Sequence, residues 1–176
     1  SFDHPVKIDS TKDKRIRGGG YGLIPNPIDG SIWMAETIHL DYPGRIIRLD
    51  PKTGLSEAYE PPLIDPKSPE KGYQGYTPRG LDIDRSTGVI WTGLSASGHL
   101  ASFDRRKCKV LNGPAATGQH CPEGWTLYPT PGPQFKGVKD SGSADFHYFN
   151  IVDQFDTLGL GKNVPIVMGS GGRGVP

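Results

Sequence analysis

The side chains of this chain that could do chemistry are few, and they are set among turns rich in glycine and proline. Glu36, Arg79 and His147 are the candidate catalytic groups. A carboxylate, a guanidinium and an imidazole that converge could bind an anion or transfer a proton. Glu36 is also the candidate metal ligand, since carboxylate oxygens suit a hard divalent ion such as Mg or Ca as cofactor. Tyr21, His39, Tyr76 and Ser95 are candidate ligand-binding residues beside them. Each has a plainer reading as well: Glu36 as an ion-paired carboxylate, His39 as a solvated loop residue, Arg79 (directly after a proline) as a brace between loops. His4, His99 and His120 show no partner at useful spacing and receive no role.

Cys108 and Cys121 stand thirteen positions apart, around the Gly/Pro/Asn-rich segment KVLNGPAATGQH. Such a loop can fold back to disulfide distance, and a bridge across it would stabilise by about 2–3 kcal/mol. Two free thiols are the alternative. No CxxC pair is present, so the spacing is not that of a zinc site. A bridge implies an oxidising compartment, periplasmic or secreted. The start, SFDHPVKID, carries no hydrophobic signal region. Neither GGG at 18–20 nor GSGG at 169–172 lies between a strand and an amphipathic helix, so neither reads as a nucleotide loop. There is no GxSxG elbow and no HExxH.

Which elements position these groups follows first from composition. The 176 residues include 25 Gly and 17 Pro, about a quarter of the chain, which rules out a helical bundle or coiled coil. No run approaches the ~18 apolar residues of a membrane span. Net charge is +1, so bulk electrostatics give no case for nucleic acid or an anionic membrane. Local basic runs at Lys7–Arg17 and Arg105–Lys109 read as solvated surface or as a docking patch.

Comparing the chain with itself is more informative. GLIPNPIDGSIWMAE (22–36), PGRIIRLDPKTG (43–54) and LSEAYEPP (55–62) recur in order as GLDIDRSTGVIWTGL (80–94), SGHLASFDRRKC (97–108) and GWTLYPTP (124–131). A weaker third copy, without Trp, runs through FHYFNIVDQF (146–155) and NVPIVMGSGG (163–172). Each full copy holds four short β-forming runs separated by turn residues, expected at 22–25, 31–35, 44–49 and 56–60, then at 80–83, 89–93, 98–103 and 125–129.

Four antiparallel strands repeated in tandem predict an all-β fold, a β-propeller of about three blades over 1–176, with copies at 21–62, 77–131 and 145–176. A β-sandwich is the alternative. Fewer than four blades cannot close a ring, so further blades from the same or another chain are expected partners. On one face the second-to-third-strand loops and the copy-to-copy connections gather Glu36, His39, Tyr76, Arg79, Ser95 and His147. The opposite face takes the cysteine loop. The ligand expected on the first face is a small molecule or a protein partner.

The phrase DGSIWMAETIHLDYPGRIIRLDPKTG resembles the repeat of virginiamycin B lyase-like and streptogramin lyase propellers, through Trp33, Glu36, Gly44, Arg45, Asp50 and Gly54. The resemblance covers 22–62 well and 77–104 moderately, and it extends to gluconolactonase-like propellers. It implies a Mg-dependent carbon–oxygen lyase that opens a cyclic ester with a His base and an acidic metal-site residue, or a metal-dependent lactonase. The second copy departs from the pattern, with Leu94 where Glu would stand. A non-enzymatic binding platform within an extracytoplasmic assembly is the rival class.

Overall fold

A computed structural model describes residues 20–37, 42–132 and 146–169. His39, the basic run at Lys7–Arg17 and the end of the third copy lie outside the described residues.

Strands β1 (Gly20–Pro25), β2 (Ile32–Glu36), β3 (Arg45–Leu49) and β4 (Ser56–Tyr59) form a four-stranded antiparallel sheet in chain order. Strands β5 (Pro78–Ile83), β6 (Ile90–Leu94), β7 (His99–Phe103) and β8 (Trp125–Pro129) form a second of the same order. Strands β9 (His147–Asp153) and β10 (Val164–Gly169) pair as a two-stranded sheet. The described residues contain no α-helix. The fold is all-β, and the strands fall within two residues of the expected positions.

The repeat in sequence is a repeat in register. Trp33 pairs with Ile24 and Arg48, and Trp91 with Asp82 and Ser102. The turns between the first two strands also match: Gly30 and Gly88 have φ of +75° and +77° and donate to the carbonyls of Asn26 and Asp84. Only glycine adopts that backbone without a penalty. The Asn26 and Asp84 side chains accept from the amides of Ile28 and Ser86 at 2.9 and 2.8 Å, closing the same Asx turn twice.

Stacking follows from alternation along each strand. The face of the first sheet that carries Trp33, Ile46 and Tyr59 covers the face of the second that carries Ile83, Ile90, Ala101 and Phe103. Trp33 and Tyr59 lie 5.9 and 4.6 Å from the Phe103 ring, which lies 5.1 Å from Trp125. Large buried side chains of this kind stabilise by about 1.5–3 kcal/mol each. The other face of the second sheet meets β9: Asp82 accepts from the Val152 amide at 2.7 Å, and Asn150 bonds the Trp91 carbonyl and the Gly93 amide.

Below the first two sheets, Cys108 and Cys121 are disulfide-bonded, with Cα atoms 5.0 Å apart. Their loop is tied to the first sheet by Arg105, whose fork reaches both Glu57 oxygens at 2.6 Å. Hydrogen bonding to Glu57 holds the Arg105 guanidinium above its ordinary range, while burial and then Glu57 push the Tyr59 phenol up.

Candidate functional site

The first strand of each sheet breaks register near its beginning. β1 shifts between Gly20 and Leu23, β5 between Pro78 and Leu81, and β10 shifts against β9 between Met168 and Gly169, opposite Tyr148. A bulge re-aims the side chain it carries. The residues so placed are Tyr21, Arg79 and Tyr148, one from each sheet, and they meet. The Arg79 guanidinium carbon lies 5.1 Å from the Tyr21 ring centroid, 4.6 Å from Tyr148 and 4.8 Å from Phe146. Tyr21 and Tyr148 are themselves 6.1 Å apart. Arg79 is 5% exposed and Tyr21 45% exposed, so a fixed cation sits beneath a partly open aromatic rim.

The backbone that delivers Arg79 is held on both sides. Thr77, two residues earlier, has φ +64°, a left-handed conformation that costs about 1–2 kcal/mol for a residue with a Cβ. Its amide donates to the Pro43 carbonyl at 2.7 Å, and its carbonyl accepts from the Ser95 amide at 2.8 Å. The Thr37 hydroxyl donates to the Pro78 carbonyl. The loops expected on one face are therefore bonded to one another there.

Glu36 is fully buried at the end of β2 and grips Arg45, opposite it on β3, through both oxygens. No contact joins it to Arg79 among those described. Its observed role is the ion-paired carboxylate. Among the described residues no group of three His, Cys, Asp or Glu side chains is arranged to hold a metal ion. Tyr76 packs its ring 5.2 Å from Tyr42, and its amide donates to the Ser97 hydroxyl at 3.0 Å.

His147 and Ser95 do come together: the Ser95 hydroxyl donates to the His147 carbonyl, and His147 Nε2 lies 3.0 Å from the Thr130 hydroxyl. His99, given no role from sequence, is buried beside them with Nδ1 3.1 Å from the Ser97 hydroxyl. Burial pulls His99 below the ordinary imidazole value; the hydrogen bond to Ser97 opposes this, and the nearby His147 adds to it. The spacing Ser-x-His at 97–99 across a tight turn was the available signal.

Of the residues grouped on one face from sequence, Tyr21 lies against Arg79 and Ser95 bonds His147, whereas the described contacts of Glu36 and of His147 are with other groups than Arg79; Phe146 and Tyr148 were not among the candidates. Among the described residues, a cleft of about 680 Å³ lies between β4 and the cysteine loop, and another of about 270 Å³ is lined by Pro62, Ile64, Gln119 and Trp125. No helix among the described residues is long and apolar enough to cross a membrane. What the cluster can do chemically is hold a positive charge among mutually tilted aromatic rings, which suits an anion carrying a flat apolar part. No protein-family model matches the chain, and no curated protein matches it either.

Proposed function

We propose that this protein is an exported, propeller-type binding module that takes a small anionic ligand at the meeting point of its inner strands. The carrying observation is that three successive first strands deliver Tyr21, Arg79 and Tyr148 to one place. Convergence of inner strands is what a disc of radially arranged blades would produce, and the disulfide suits an oxidising compartment. The ligand class follows from the chemistry: a carboxylate for the guanidinium and a ring for the aromatic rim. Readings as a metal-dependent lyase or lactonase need a carboxylate turned toward an ion. Glu36, turned to Arg45, gives them no support.

Calorimetric titration with benzoate tests the proposal. Binding is expected for the native chain and at least ~10-fold weaker binding for Arg79→Met, because a charged hydrogen bond contributes about 1.5–3 kcal/mol. Arg79→Lys should retain part of the affinity. Equal binding by native and Arg79→Met protein would remove the site.

A further inference from the structure

A strand at the rim of a sheet turns half of its peptide groups away from its neighbour, and those groups must find water or another chain. In β4 the alternation identifies them. The Asp50 amide donates to the Leu55 carbonyl at 2.9 Å, so Leu55, Glu57 and Tyr59 face β3, and Ser56, Ala58 and Glu60 face outward. The Glu60 amide agrees with this parity, since it donates sideways to the Gly118 carbonyl of the cysteine loop at 2.9 Å. At that point the loop touches β4 as a fifth strand would, and so closely that a Cβ on Gly118 would stand 2.7 Å from Glu60 Cδ. Beyond it the loop diverges. The outward peptide groups of Ser56 and Ala58 have no partner among the described residues.

The gap so formed is the cleft of about 680 Å³, with Ser56 and Ala58 on one wall and Leu111, Pro114 and Ala116 on the other. The disulfide and the fork of Arg105 on Glu57 hold the second wall in place. The outer strand of the second sheet is built differently, because β8 ends in Pro129, which has no N–H to offer. Charge within the cleft is uneven. Glu57 is matched by Arg105 and Arg48, and Arg45 by Glu36. Glu60, where the loop meets the strand, accepts only from neutral groups, the Gln119 amide at 3.2 Å and the Tyr73 hydroxyl. Among the described residues it has no cationic partner.

We infer that this cleft takes an extended peptide, which adds to β4 as a fifth strand and sets a Lys or Arg against Glu60. Another main chain is the partner that repeats donor and acceptor at the two-residue step from Ser56 to Ala58, about 6.8 Å. β4 has four residues, so the paired stretch of the guest is about that long. The apolar far wall suits aliphatic side chains on the guest. Because the main chain carries the pairing, the sequence requirement is loose apart from the cation. The cleft does not include Arg79, so its occupancy is independent of the anion site.

Fluorescence anisotropy with a fluorescein-labelled pentapeptide, Lys-Val-Thr-Val-Thr, tests this on the native chain. Saturable binding with Kd below about 1 mM is expected. Methylating alternate peptide nitrogens of the guest separates its two edges. One methylation pattern is expected to weaken binding at least ~10-fold, and the other to leave most of it, because a strand uses every second amide for a given neighbour. Glu60→Gln, which keeps the side-chain shape, is expected to weaken binding ~3-fold and to abolish the preference over Glu-Val-Thr-Val-Thr. In hydrogen exchange the Ser56 and Ala58 amides should exchange fast in the free chain and slow when the peptide is added. No saturable binding, or equal losses from the two methylation patterns, would overturn the proposal. So would Ser56 and Ala58 amides already protected without peptide, which would show that another part of the chain occupies the edge.

Discussion

Arg79 and Glu36 look alike in sequence, as lone charges beside β-runs, but their settings separate them. Glu36 is spent on Arg45 across one strand pair, whereas Arg79 is shared among rings from two other sheets. The first charge holds a sheet and the second joins sheets. His99 makes a further prediction at this scale. Because burial depresses its folded value, the unfolded chain binds a proton where the folded one does not, and stability falls as pH drops below about 6.5. His120, also lowered by burial, acts in the same direction. The thermal midpoint should therefore decline from about pH 7 toward about pH 5, and H99Q/H120Q should flatten that decline. An unchanged slope in the double variant would show that other groups set it. Tyr21 and Arg79 were legible because each stands at the beginning of a repeated first strand. Tyr148 was not, since the third copy has Phe149 in place of the glycine that marks the other two.

The strands themselves could be read from β-branched and aromatic runs between turn residues, and the paired Asx turns explain why their ends were found so closely. What sequence did not show were the bulges, because an extra unpaired residue leaves the alternation on either side intact. The bonds between sheets were also hidden. Asn150 carries both ends of one, donating to the Trp91 carbonyl at 2.9 Å and accepting from the Gly93 amide at 3.2 Å, across 59 and 57 residues. Asn150→Ala strands two buried backbone groups and should cost about 2 kcal/mol in urea unfolding. Asn150→Asp keeps only the acceptor and should fall between. A loss under about 0.5 kcal/mol for the alanine variant would mean that water or a shifted side chain replaces these bonds.

Over the whole molecule, two antiparallel four-stranded sheets and one two-stranded sheet pack face to face, and Leu23 of β1 and Phe149 and Ile151 of β9 are exposed. The expected third four-stranded unit is represented among the described residues by the β9–β10 pair. The cysteine loop closes the side opposite the candidate site, so its crosslink and the Arg79 cluster can be perturbed separately. The central claim is that three first strands form one binding site around Arg79. It is tested most directly by titrating the labelled native chain with benzoate and following backbone amides by nuclear magnetic resonance. The amides of Gly22, Gly80 and Phe149, one from each sheet, should move together and saturate at a common concentration. Shifts confined to the Glu36–Arg45 end of the first sheet, or no saturable shifts in these three amides, would contradict the account.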